Sequence, residues 1–369
     1  MRFKPIDRLK ENEILAENIV NINNQILLKK DASMNSKNIE RIKNMGFKSL
    51  YVKNPEEEVF LEEEVKDIID PVIRKKAVFD MKECVDNFYS TISKQRQQLA
   101  YGDSGQALLD SLDKISTSLI DEILNSEELK ISIMDIKSEG NYLYEHAINT
   151  SVLAIMLGAK LGYSTKDMRN IAIASMLLNI GYKNLEPTLY DHEGTLSDAQ
   201  WLEMVQHPKF SFDILSNNTH FNAHIKSIVM QHHERLDGSG YPAGLMGSEI
   251  HPHAKLVMIA DVYDAMTSDR PFRHAYPHHE VVEYIMGNAG TLFDFDLANM
   301  FSRCIILYPA GSYVLLSNGL KAVILRNHAS HPLRPIVRTF KAGKIDSSSA
   351  GYIDLLETRN LTIQMLIYD

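Results

Sequence analysis

Cysteine is almost missing from this chain of 369 residues. Only Cys84 and Cys304 occur, far apart, which excludes a disulfide framework or a cysteine zinc ribbon and fits a reducing compartment. Long apolar runs are missing as well. No stretch of about 18 consecutive apolar residues occurs. Met1 to Glu11 carries basic residues with no apolar segment behind them. Neither a membrane span nor a secretory leader is expected, and a cytoplasmic location follows as the default. Positive charge is in deficit: the formal net charge of -9 argues against a long nucleic-acid partner, which needs a basic surface to displace counterions. A small anionic ligand needs only a local basic pocket. There is no internal repeat and no low-complexity tract. Histidine is absent before His146, whereas twelve of the 14 fall between His146 and His279, so any metal site belongs to the middle of the chain.

The apolar fraction of 44%, with 24% charged residues, suffices for a large core, and the length suggests two or three domains. Short apolar runs around Asn23-Asn24, within Glu13 to Lys30, predict a hairpin. Lys37 to Met45 predicts a helix stopped by Gly46, with a strand over Ser49 to Val52. From Val59 to Ile136 the pattern is helical, interrupted at Pro71 and around Tyr101 to Gly105, and this segment makes self-association as a homodimer a reasonable expectation. Helical patterning continues from Leu143 to Met286. Tyr308 to Ile367 turns to Val/Ile/Leu-rich runs punctuated by Asn318-Gly319 and Gly351. The expected fold is mainly α: a helical bundle (137–300) behind a small α+β unit (1–54) and a helical linker or bundle (55–136), with a β-rich extension (301–369).

Within the bundle, His146 lies on a helical face with Leu143, Thr150, Leu153 and Leu157, and alone it reads as a hydrogen-bonded core histidine. His207 precedes Pro208 after a helix opened by Ser197, whose Gln200 completes a capping-box pattern. His232 and His233 follow Ile228 and Val229 near a helix C-terminus, beside a buried face. Asp261 ends the apolar run Leu256 to Ala260, where an ionised carboxylate is expensive without a cation or hydrogen bonds.

Taken together these residues resemble the HD-GYP family of helical HD phosphohydrolases. The resemblance runs from about Asn141 to Asp296. It is anchored by His232-His233-Glu234-Arg235-Leu236-Asp237-Gly238-Ser239-Gly240-Tyr241-Pro242, with further matches at Tyr144-Glu145-His146, His207-Pro208 and Ile259 to Pro271. It implies an HD-type bundle and cyclic di-GMP hydrolysis by two or three ions, commonly iron or manganese, since paired ions activate a bridging water and stabilise phosphoryl charge. By this resemblance His146 and Asp261 would serve one ion, and His207, His232 and His233 the other.

One part of the pattern is altered. Where the family has His-Asp-Ile-Gly-Lys, this chain has Leu178-Asn179-Ile180-Gly181-Tyr182, with Lys183 one position late. Tyr142 stands where trinuclear members carry a glutamate. An asparagine offers one neutral oxygen in place of a bridging carboxylate, so at most one transition-metal ion, iron or manganese, or none, is expected. Arg270 and Arg273 resemble the family's phosphate-contacting cations. Asp237, Gly238, Gly240, Tyr241 and Pro242 form a loop able to face a ligand or a protein partner. The expectation is a degenerate HD-GYP protein that binds cyclic di-GMP or a related nucleotide, with phosphodiesterase activity absent or strongly reduced. Two alternatives stay open: a phosphodiesterase with a residual mononuclear site, and a ligand-independent interaction scaffold.

Overall fold

The computed structural model describes residues 2–16, 18–20, 26–44, 49–53, 68–94, 102–126, 129, 131–132, 142–185, 189, 196–268, 275–308, 310–328, 331–341, 344–345, 348 and 351–367. The chain divides into two compact units, one formed by 1–67, 130–142 and 305–369 and the other by 68–129 and 143–304.

In the first unit, β1 (Arg2–Pro5), β2 (Ile14–Leu15) and β5 (Ser49–Lys53) form an antiparallel sheet in the order β1-β5-β2. The expected hairpin is β3 (Ile19–Val20) against β4 (Ile26–Leu28), while its Asn23-Asn24 turn lies outside the described residues. The expected helix is α1 (Ser36–Asn44). Its Ile42 packs with Leu15, Ile19, Met34 and Leu50 into a small core. Residues 131–132, read as the end of a helical segment, instead form β6 (Ile131–Ser132), parallel to β7 (Ile305–Ile306). A partner so distant in sequence overrides a local helical pattern. The tail forms the expected β structure. β8 (Tyr313–Leu316), β9 (Lys321–His328), β10 (His331–Lys341), β11 (Lys344–Ile345), β12 (Tyr352–Asp354) and β13 (Ile363–Ile367) make one sheet in the order β11-β10-β9-β8-β13, with β12 also on β10. Val323, Leu325 and Ile336 are its buried centre.

The second unit is helical. Pro71 opens rather than interrupts α2 (Pro71–Lys94), because a first-turn proline sacrifices no intrahelical bond, and Asp70 caps it through the Val72 amide at 2.7 Å. α2 packs on α3 (Gly102–Asn125), as expected of a bundle, and both group with the downstream helices. α4 (Tyr142–Lys160) is buried at every residue from His146 to Gly158. A helix buried on all sides belongs at the centre of a bundle. Ser164 caps α5 (Thr165–Leu177), which runs into a 3-10 turn at Ile180–Asn184. The expected Ser197–Gln200 capping box opens α6 (Asp198–Met204), and α7 (His207–Ser216) follows with Pro208 in its first turn. α8 (Ala223–Gln231) is capped by Asn222 and α9 (Pro252–Met266) by His251. α10 (His278–Gly287) and α11 (Phe295–Cys304) pack on α9 and on each other. α8 lies against α5, α7 and α9, which brings four helices to one place.

Candidate metal centre

His207 and His232 occupy opposite helix ends. His207 starts α7, and His232 is the last turn's cap on α8, with His233 following it. Their ligand atoms and that of His233 all lie within 4.8 Å of one another. His207 and His232 are fully buried, whereas the His233 side chain keeps 17% exposure. The hydrogen bonds set the tautomers. His207 Nδ1 is 2.8 Å from the Met204 carbonyl and His232 Nδ1 is 2.7 Å from the Val229 carbonyl, so each Nδ1 carries the proton and donates. Both Nε2 atoms then present lone pairs, and they face each other at 3.4 Å. Two unprotonated nitrogens at that distance repel. Two nitrogens bound tetrahedrally to one ion, each about 2.0–2.1 Å from it, would stand about 3.3–3.4 Å apart. Burial pushes the His232 pKa below its ordinary 6.5, which keeps the ring neutral and able to ligate. The three-histidine set therefore fits a transition-metal ion and leaves positions open.

The expected His146–Asp261 pair has a different character. His146 Nε2 is 3.0 Å from Asp261 Oδ1, and His146 Nδ1 is 2.7 Å from Asp264 Oδ2. All three side chains are buried. Both ring nitrogens face carboxylates, an arrangement suited to an imidazolium donating twice. Burial opposes that charge, but the bonds to Asp261 and Asp264 outweigh it, and the His146 pKa rises above 6.5. Asp264 also accepts from Asn149 Nδ2 at 3.1 Å. Asp264 was missed in the sequence because its partners are more than a hundred residues away. Asp261 is the link between the two clusters, with Oδ2 3.9 Å from His233 Nδ1.

The Leu178–Tyr182 segment abuts α7. Leu178 is buried, and the Asn179 side-chain oxygen is buried without a hydrogen-bond partner among the described residues. Ser211 Oγ ties the segment down by donating to the Leu178 carbonyl at 2.7 Å and accepting from the Gly181 amide at 2.8 Å. A side chain at Gly181 would collide with the His207 carbonyl and with Ser211. Tyr182 lies edge-on to His207 with centroids 4.6 Å apart, and so walls the histidine cluster where the family pattern carries a lysine. Lys183 does not replace that lysine: its ammonium pairs with Asp86 of α2 at 3.2 Å and lies over the Tyr89 ring.

The glycine-rich loop is anchored by a residue to which the sequence assigned no role. Glu234 is fully buried, and its two oxygens accept from the Ala243 and Leu245 amides at 2.8 and 2.9 Å. Asp237 accepts from Ser239 within the loop, and Gly238 has a φ of +81°. A Cβ at Gly240 would strike the backbone of Glu234 and Arg235. Tyr241, preceding Pro242 by a cis peptide bond, donates its amide to the His233 carbonyl at 3.1 Å and tilts its ring over His233 at 4.7 Å. Arg270 and Arg273 lie outside the described residues.

Residues 130–297 match the profile of the HD domain. The chain is 29% identical over 254 residues to a cyclic di-GMP phosphodiesterase of Pseudomonas aeruginosa, covering 66% of this chain and 60% of that protein. It is 32% identical over 145 residues to the cyclic di-GMP phosphodiesterase response regulator RpfG of Xanthomonas campestris, covering 39% of this chain and 38% of that one. A 3'3'-cGAMP-specific phosphodiesterase of Vibrio cholerae is 28% identical over 177 residues, covering 48% and 38%. The chain thus spans less than two thirds of the length of these relatives. Among solved structures, an HD-GYP-type protein of Bdellovibrio bacteriovorus aligns with a TM-score of 0.48 at 18% identity, covering 81% of this chain and 97% of that one. No described helix is long and apolar enough to cross a membrane. With the bundle, the clustered histidines and the Gly-Tyr-Pro loop in place, this chain carries a domain of the HD-GYP family.

Proposed function

We propose that the protein binds cyclic di-GMP or a related cyclic dinucleotide at a centre holding one transition-metal ion, and that its phosphodiesterase activity is absent or far below that of its relatives. The observation that carries this reading is the pair of opposed, unprotonated Nε2 atoms of His207 and His232 at 3.4 Å, with His233 beside them. His207, His232 and His233 would hold the ion. When bound, it would polarise a phosphoryl oxygen and acidify water at its open position. The relatives' names supply the ligand class. Arg270 and Arg273 are proposed to meet the phosphates, and Tyr241 to face the ligand.

The reduced activity follows from the other half of the site. His146 already has a carboxylate at each ring nitrogen, and Leu178 and Asn179 supply neither an imidazole nor a bridging carboxylate. Without a second ion, charge on the leaving oxygen lacks the paired stabilisation that two-metal hydrolysis uses.

The test joins elemental analysis of protein purified without chelator to a cyclic di-GMP turnover assay. About one ion per chain, lost in His232→Ala and retained in His146→Ala, with little or no turnover, is expected. Two ions, one of them lost in His146→Ala, would overturn the reading. A single ion with fast turnover would leave the centre in place and convert the protein into a mononuclear phosphodiesterase.

A further inference from the structure

We infer that Trp201 is a stacking shelf for a purine base whose attached phosphate sits at the three-histidine centre; this rests on the site proposed above and adds the base to it. Trp201 is the chain's single tryptophan, and half of its surface is exposed. Its helix, α6, spans seven residues and contains no buried one. The Ser197–Gln200 capping box therefore holds α6 in shape without committing the indole to a core. A half-exposed indole one ring away from a ligand site offers a π-face to a flat aromatic partner.

The rings step outward from the histidines. Tyr241 tilts over His233, with centroids 4.7 Å apart and an interplanar angle of 33°, and Trp201 meets Tyr241 at 5.9 Å and 81°. Trp201 is thus one ring removed from the metal ligands. Tyr241 cannot easily drift, because its amide is bound to the His233 carbonyl and Gly240 sits tight on the Glu234 backbone. The ring behind the indole is therefore fixed before a ligand arrives, which lowers the ordering cost of stacking beside it.

Charge selects the kind of ligand. Asp198, one turn before Trp201 on the exposed surface of α6, disfavours phosphate or an anionic lipid headgroup beside the indole. A purine presents a neutral π-face and meets no such penalty. A nucleotide would then be read in two places, phosphate at the histidines and base at the indole.

The test uses the full metal-loaded chain with GMP and ribose 5-phosphate as probes, followed by calorimetry and by fluorescence of the single tryptophan. GMP should change the Trp201 emission and bind more tightly than ribose 5-phosphate. Trp201→Ala should weaken GMP about 5- to 150-fold, the range expected for one base stacked on an aromatic ring, and leave ribose 5-phosphate unchanged. Trp201→Phe should keep most of the affinity. Trp201→Leu preserves apolar bulk without a π-face and should behave like the alanine variant. GMP affinity unchanged in both the alanine and leucine variants, while ribose 5-phosphate still binds in a metal-dependent way, would overturn the shelf and spare the phosphate site. Failure of both probes to bind the loaded parent would overturn the site itself and the shelf with it.

Discussion

His146 shows how much one buried residue can depend on partners that are remote in sequence. Its ring lies between Asp261 and Asp264, and removing Asp264 loses one of its two charge-assisted hydrogen bonds while Asp261 still faces the other nitrogen. Asp264→Asn should therefore destabilise the protein by about 2 kcal/mol, in line with the loss of one buried hydrogen bond to a charged group. The pH dependence has a definite sign. Because the folded-state pKa of His146 is raised above 6.5, its contribution is complete below that pH and fades as pH rises through the folded value. In Asp264→Asn the fading should begin at lower pH. Urea unfolding between pH 6 and 9 checks this, and coincident curves for parent and variant would show that the bond contributes nothing. The role of Asp261 was legible, since a carboxylate in an apolar helical run demands a partner. That of Asp264 was not, because one helical turn onward it looks like an ordinary polar residue until α4 is folded against it. Glu234 was hidden for the same reason: its acceptors' partners are backbone amides, which carry no side-chain signature.

At the scale of elements, α9 begins with an unusual cap. The His253 amide donates to His251 Nδ1 at 3.1 Å, so that nitrogen is unprotonated and the ring proton sits on Nε2, facing His224 Nδ1 at 3.1 Å. Protonating His251 would remove the acceptor and put a cation at a helix N-terminus. His224 of α8 and His253 of α9 face it and add repulsion, while Asp167 of α5 interacts with His253 and His224. Partial burial, with those two histidines, holds the His251 pKa below 6.5. A depressed value means that this contribution is present above 6.5 and is lost as pH falls through the folded value. His251→Asn keeps a capping oxygen that does not titrate, and should flatten the decline in melting temperature between pH 7 and 5. An equally steep decline would place the sensitivity elsewhere. The 3-10 turn after α5 supports a second expectation. Leu178→His with Asn179→Asp should raise metal content toward two ions and increase cyclic di-GMP turnover at least tenfold with iron or manganese. Tyr182 should be left in place, because its ring walls His207. Two ions with unchanged turnover would put the defect beyond this turn. The capping box at Ser197 and the proline opening of α7 were legible because both are local devices. The His251 cap was not, since histidine seldom fills that position, and β6 was too short to outweigh its helical surroundings.

For the molecule as a whole, the mainly helical class and the β-rich tail were readable from periodicity, but the grouping of segments was not. Patterning along the chain separates neighbours, whereas compact units are decided by packing, and α2 and α3 therefore join the downstream helices. The parallel pairing of β6 with β7 has a consequence for chain topology. Ile131 lies beside Ile305 and Ser132 beside Ile306, so the intervening segment leaves and returns at adjacent points. The backbone amides at these positions should exchange with solvent together, with one opening free energy, and markedly unequal protection would show that the strands open separately. Because loop-closure cost grows only by about 0.6 kcal/mol per doubling of length, exposed loops within the segment between the strands can lengthen at little entropic cost. The strand pair is in this sense a clasp, and surface loops between its two halves can change length without disturbing the register of the strands that bracket them.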